Sequence, residues 1–307
     1  MRVLIINHTH VECGVFQFGK RVYDLASRST NVDYYYKIIG SHDEYVNVVN
    51  KIKPDVIIYN YHWDRMPWLT EKDIKSYKEI KHLFCFHDGS LIGSYDKYLF
   101  FGSYDSEENS VPKEKRILLP RPLFEYAGLH PKNDTITFGS FGFCSTYKGF
   151  PQLVKLINES FNHAVINLHI TIPWFGEIPG YKLYPIVDAC RKNNTKKDIK
   201  LNITSNFLDD NGLLTFLAGN DINILNYEET KNSGLSSAPD YLLSVKRPIA
   251  VRNVSLLRHV INDDNSLEKN TLSEILQKGI TPLEPYYNKW SIEKYISDLD
   301  KAMMELI

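Results

Sequence analysis

The chain has 307 residues, 43% hydrophobic and 24% charged, which is the composition of a globular protein and excludes a disordered one. That length is enough for one large or two medium domains, since a single core rarely grows past roughly 250–300 residues. A net charge of −1 excludes a global basic field for nucleic acid or an anionic membrane, and no apolar run approaches the roughly 20 residues of a membrane span.

The opening MRVLIIN carries too short an apolar run for a signal peptide and reads as a buried strand. Val3–Ile6 is that strand, ending in the polar stretch Asn7-His8-Thr9-His10. Gly14 follows, and Phe16–Ala26 then has helical spacing through Phe18, Val22, Leu25 and Ala26. The strand–helix alternation continues with Tyr34–Ile39, a helix over Glu44–Ile52, and the strand Asp55–Tyr59. His82–Phe86, Lys97–Phe101 and Ile117–Leu119 are further strands. Residues 120–133 hold three prolines without periodicity and read as a linker.

A second series then begins. Strands are expected at Ile136–Gly139, Ala164–Ile172, Ile199–Ile203, Ile222–Leu225 and Pro248–Val251. Helices are expected at Gln152–Glu159, Tyr184–Asn193, Asn211–Ala218 and Pro239–Val245. An amphipathic helix from Ser291 onward, with Ile292, Tyr295, Ile296, Leu299 and Met303 on one face, ends the chain. Such alternation implies an α/β protein with two mostly parallel sheets, each covered on both faces. Cys13, Cys85, Cys144 and Cys190 form no CxxC pair, which argues against a zinc knuckle or disulfide framework and for a reducing, cytoplasmic setting.

Open parallel sheets bind ligands at the carboxyl ends of their strands. In the second series, the segment from Gly139 through Lys148-Gly149 offers glycines for close backbone approach and a lysine point charge. Asn232–Asp240 places Ser236 and Ser237 before Pro239 at the start of a helix, where free N–H groups and hydroxyls suit an anion. Glu228-Glu229 stand at the exit of the strand Ile222–Leu225, positioned to accept hydrogen bonds from ribose or sugar hydroxyls. In the first series, His87-Asp88-Gly89 closes a buried strand and can orient a hydroxyl or move a proton. His8, His10 and Gly14 occupy the first strand–helix loop, while Asn60 and His62 follow another strand. Each residue alone is compatible with capping or solvation; their shared place at strand ends is what points to function.

MRVLIINHTHVECGVFQFGKRVYDLA, FCFHDGS, FGSFGFCSTYKGFPQLVKLI, FLDDNGLLTFLAGNDINILNYEE and NSGLSSAPDYLLSVKRPIAV together resemble, over nearly the whole chain, the GT-B glycosyltransferases. The likeness is to the retaining group-4-like family (glycosyl transferases group 1). It implies two Rossmann-like βα domains facing a central cleft. These are an acceptor-side domain at 1–125, a nucleotide-sugar donor-binding domain at 133–285, and a return helix at 286–307 packing on the first domain. It implies His87 as the active-site histidine, and the adjoining Asp88, from the reading of the strand end, is taken with it as the catalytic pair. Gly14, Lys148, Glu228, Glu229, Ser236, Ser237, Asp240 and Arg247 fall to the donor site, and His8, His10, Asn60 and His62 to the acceptor side.

Two departures stand out. Gly142 holds the place of the family's arginine six residues before the lysine, and the E-x7-E spacing is replaced by Glu228 or Glu229 with Asp240. The expected activity is transfer from a nucleotide-diphosphate sugar, used as substrate with no cofactor. The Asp-x-Asp run Asp298-Leu299-Asp300 falls within the closing amphipathic helix and not in a loop at a strand end, so transfer without metal is expected, with retention implied by the resemblance. The acceptor stays open between saccharide, lipid, protein and a modified DNA base of viral or phage origin. A degenerate, non-catalytic sugar-nucleotide binder is the alternative. A nicotinamide oxidoreductase is disfavoured because no GxGxxG follows the first strand.

Overall fold

The computed structural model describes residues 1–87, 95–103, 111–173, 176–230 and 234–306. In chain order the elements are β1 (Arg2–Asn7), α1 (Gly14–Ala26), β2 (Asp33–Ile38), α2 (His42–Ile52), β3 (Val56–Tyr59), α3 (Glu71–Lys75), β4 (Lys81–Cys85), β5 (Lys97–Phe101) and β6 (Arg116–Leu119). They continue as β7 (Thr137–Phe143), α4 (Phe150–Ser160), β8 (Ala164–Thr171), α5 (Leu183–Asn193), β9 (Ile199–Thr204), α6 (Asp210–Ala218) and β10 (Ile222–Leu225). The last are α7 (Ala238–Ser244), β11 (Ile249–Val251), α8 (Leu272–Lys278), α9 (Glu284–Lys289) and α10 (Ile292–Met304). The chain divides into two compact units: residues 1–123 with 233–235 and 289–307, and residues 124–232 with 236–288.

The first unit is built on a six-stranded sheet in the order β2-β1-β3-β4-β5-β6, parallel throughout. Val3, Leu4, Ile5 and Ile6 of β1 are all fully buried because both faces of the sheet are covered. The two-residue period of a strand divides them. Val3 and Ile5 pack with Phe18, Val22 and Leu25 of α1 and with Tyr295, Leu299 and Met303 of α10. Leu4 and Ile6 pack with Tyr45 and Val49 of α2 and Ile74 of α3. A buried carboxylate fixes α10 in place: Asp300 accepts hydrogen bonds from Ser29 Oγ (2.6 Å), Tyr34 Oη (3.0 Å) and Asn31 Nδ2 (3.2 Å).

The second unit carries a five-stranded parallel sheet, β11-β10-β7-β8-β9, around a core of Phe138, Phe150, Val154, Ile166, Ile170 and Ile224. A row of asparagines crosses it. Asn223, Gly139, Asn167 and Asn202 are neighbours in register on β10, β7, β8 and β9. Asn202 donates to Asn167 (2.9 Å), Asn167 to Asn220 (2.9 Å), and Asn220 to Asn223 (3.0 Å).

This row corrects the sequence reading of Gly139 as the start of a ligand loop. The strand runs on to Phe143, and Gly139 lies in its amino half. A Cβ there would overlap the side chains of Asn220 and Asn223. The glycine is thus a packing requirement of the amide network, and the loop begins only at Cys144. Other elements differ at their ends: α1 starts at Gly14 and α2 at His42, capped by Ser41. Among the described residues no helix is long and apolar enough to cross a membrane.

Gly139→Ala is expected to destabilise the protein by about 1–3 kcal/mol, the usual cost of overpacking a filled interior. Thermal unfolding checks this, and Gly139→Ala combined with Asn220→Ala should recover part of the loss.

Candidate functional site

In the second unit, the exits of β7 and β10 are tied together. After Phe143 the chain makes a short 3-10 turn over Thr146–Lys148 and reaches Gly149 at φ +67°. A side chain at Gly149 would strike the carbonyl of Asn226, whose Nδ2 donates to Gly149 O (3.1 Å). Glu228 N–H donates to Tyr147 O (2.7 Å), and Gln152 Nε2 to Glu228 Oε1 (3.1 Å). These bonds turn Lys148 back over the sheet. A Cβ at Gly142 would come within 3.3 Å of Lys148 Cε, so the residue standing where the family has arginine leaves room for the lysine stem.

Lys148 is not the solvated point charge of an ordinary loop. It is only 8% exposed, and its Nζ donates to Tyr227 Oη at 2.6 Å. The same Nζ lies 3.8 Å from the centroid of the Tyr227 ring and 5.1 Å from that of Tyr147. Burial pushes its pKa down to about 7, because the charged form loses its water. Tyr227 is itself fully buried and bonded to the Ser236 hydroxyl, and burial raises its phenol well above the usual range. The result is a cation poised near neutral pH, held by aromatic rings and a phenol. Such a poise is characteristic of groups that meet an anion or a proton.

The remaining residues proposed for this site divide. Ser236 joins the cluster through Tyr227, and its Oγ accepts from Ala238 N–H (3.3 Å). Ser237, expected to cap the helix, has helical backbone angles and makes no side-chain cap. Asp240 lies buried in the first turn of α7. Glu229 accepts from Ser255 N–H (2.9 Å), which holds its carboxyl below the usual range. Arg247 does not join them. It donates to Ala218 O (3.0 Å) and Pro131 O (2.7 Å), at the amino end of β11 rather than at the carboxyl ends of the strands. Tyr147 and Tyr227 escaped the sequence reading, although each adjoins a residue it singled out.

In the first unit, β1, β3 and β4 end in a second cluster. His8 is fully buried between His10, His62 and Phe16, with ring centroids 6.1, 5.6 and 5.7 Å away. Its Nδ1 accepts from His10 N–H (3.2 Å). Burial, reinforced by His62, His10 and Arg65, pushes its pKa down to about 3, so it is neutral at physiological pH. Arg65, absent from the sequence reading, pairs with Asp64 (3.0 Å) and reaches His10 Nε2 (3.4 Å). Asn60 is bonded to His87 (2.7 Å). Gly14 opens α1, and a Cβ there would meet no described atom within 4 Å, so packing does not demand its glycine. Asp88 lies outside the described residues.

Comparison with known proteins adds the fold. Anabaena HepE solved in complex with UDP superposes with a TM-score of 0.67 and 11% identity, covering 99% of this chain and 100% of that one. The lipopolysaccharide outer core galactosyltransferase WaaB gives 0.66 and 8% over the whole of both chains. The fold is that of the GT-B glycosyltransferases. AviGT4, a glycosyltransferase of avilamycin A biosynthesis, gives 0.63 and 9%, covering 99% of this chain and 96% of the other. No protein-family model and no curated protein sequence matches the chain.

A lysine kept for its chemistry should cost stability. With a folded pKa near 7 against an ordinary value of about 10.4, Lys148 penalises folding fully below pH 7. That penalty fades as pH rises towards 10, because the unfolded chain then holds a proton that the folded one does not. Lys148→Met should therefore raise the melting temperature by about 3 °C at pH 6 and by progressively less up to pH 10. Scanning calorimetry of both proteins across that range checks the prediction.

Proposed function

We propose that the protein is a glycosyltransferase that takes a sugar from a nucleoside-diphosphate donor, and that Lys148 is the residue that neutralises the diphosphate. The observation carrying this reading is the buried, nearly neutral lysine at the joined exits of β7 and β10. An arriving diphosphate supplies the counter-charge that Tyr227 and Tyr147 do not, and so favours the ammonium form. As the bond from the sugar's anomeric carbon to the diphosphate oxygen breaks, its electron pair passes to that oxygen, while the acceptor nucleophile forms the new bond to that carbon and gives up its proton. Lys148, in its charged form, then stabilises the leaving group. A fixed cation in a desolvated site does this more strongly than the same charge in water.

Glu229, oriented by Ser255, and Glu228, oriented by Gln152, are assigned to hydroxyl groups of the nucleotide or sugar. Ser236 is assigned to holding Tyr227 under the lysine. In the first unit, His87, His8, His10, Asn60 and His62 are read as groups for sugar or acceptor hydroxyls. UDP is the first nucleotide to try, since HepE was solved with UDP and with UDP-glucose. We assign transfer to a metal-independent, retaining reaction: Lys148 carries the charge-neutralising role, and retention follows from the resemblance in the motifs. Gly142 in place of the family's arginine favours one other reading, a binder that recognises the donor without turning it over.

UDP should raise the melting temperature with or without magnesium, corresponding to about 2.7 kcal/mol at a hundredfold excess over Kd. Lys148→Met should abolish the shift while remaining folded. A shift that needs magnesium would count against the lysine as the neutralising group. A metal-independent shift without donor hydrolysis or transfer would favour the binding-only reading.

A further inference from the structure

His87 is held by more than one contact, and the chain of bonds behind it decides where its proton sits. Two carbonyl groups of the first turn of α1 start that chain, because a carbonyl can only accept. Asn7 Nδ2 lies 2.8 Å from Phe16 O, and Asn60 Nδ2 lies 2.7 Å from Val15 O. Both amides are thereby oriented, nitrogen toward the helix. Asn7 Nδ2 also donates to Tyr36 Oη (2.9 Å). Asn7 Oδ1 then accepts from Asn60 Nδ2 (2.8 Å) and from His8 N–H (3.0 Å). Only the oxygen of Asn60 is left to face His87 Nε2, at 2.7 Å. The imidazole nitrogen must therefore be the donor.

Packing holds the arrangement rigid. Asn7 and Asn60 are both fully buried at the carboxyl ends of β1 and β3. Gly19 of α1 makes the seat for Asn60, since a Cβ on it would overlap the Asn60 side chain. Phe18 meets the His87 ring edge to face, with centroids 5.2 Å apart and planes at 85°.

We propose that Asn60, backed by Asn7, is a positioning residue that keeps the proton of His87 on Nε2 and so leaves Nδ1 as the nitrogen without a proton. In that state a neutral His87 has acceptor character at Nδ1 and donor character at Nε2. The choice of an amide matters. Asn60 fixes the tautomer without a charge, whereas a carboxylate in its place would hold the imidazole protonated. The consequence for turnover rests on His87 acting on the ligand as read above; the tautomer itself does not.

The test is spectroscopic and needs no ligand. In long-range 1H–15N spectra of the wild-type protein at pH 8, with His87 assigned by its loss in His87→Gln, a single Nε2–H tautomer is expected. An Nδ1–H tautomer, or the mixture that a free imidazole shows, would overturn the proposal. In Asn60→Asp the His87 pKa should rise by at least one unit, and an unchanged value would also overturn it. Should that variant not fold, the wild-type spectra decide alone. Absence of transferase activity would count against the proposed function and leave this result standing.

Discussion

A lysine amino group kept out of water at the end of a parallel sheet sets the terms for everything around it. Lys148 reaches its place because Gly142 leaves space for its stem, Gly149 turns the chain at positive φ, and Asn226 clamps that turn to the exit of β10. Desolvation then makes the charged form costly, and a phenol and two aromatic faces offset only part of that cost. A fold selected for stability alone would place an apolar side chain there. Retaining a lysine makes sense where an anion arrives to complete the charge pair, and the diphosphate proposed above is the anion to test.

Both units use asparagine for order, in different ways. In the second unit a row of amides on β10, β8 and β9 passes across β7 and dictates a glycine there. In the first unit, Asn7 and Asn60 terminate neighbouring buried strands and carry orientation from the backbone of α1 to a histidine. Amides suit this work because each offers both donors and an acceptor with no charge to desolvate. Fully satisfied networks of this kind also restrict a core to one arrangement, which a functional cluster at its edge requires.

Much of the fold was legible because parallel strands buried on both faces leave continuous apolar runs, such as Val3–Ile6 and Val56–Tyr59, and amphipathic helices leave a 3.6-residue period. What escaped has physical reasons. Gly139-Ser140-Phe141-Gly142 looks like a loop, yet it is strand, since Gly139 admits Asn220 and Ser140 Oγ bonds Ile224 O at 2.7 Å. The short helices α3 and α8 were too brief for periodicity, although the capping boxes Thr70–Asp73 and Thr271–Glu274 announce both. The place of Lys148 in the motif was readable, but its burial was not, because the partner Tyr227 lies 79 residues away. For the same reason Arg247 could not be separated from the site: its distinguishing contacts, Ala218 O and Pro131 O, are formed only in the fold.

The most direct measurement of the central claim is calorimetry of UDP binding at pH 8 in two buffers of different ionisation enthalpy, for the wild type and Lys148→Met. If the lysine is largely neutral when free and charged when a diphosphate is bound, the wild type should take up close to one proton, about 0.8 for a shift of two pKa units or more. Lys148→Met should lose that uptake together with most of the affinity. Tight binding with no proton uptake, or the same uptake in both proteins, would contradict the assignment of Lys148 as the group that meets the diphosphate.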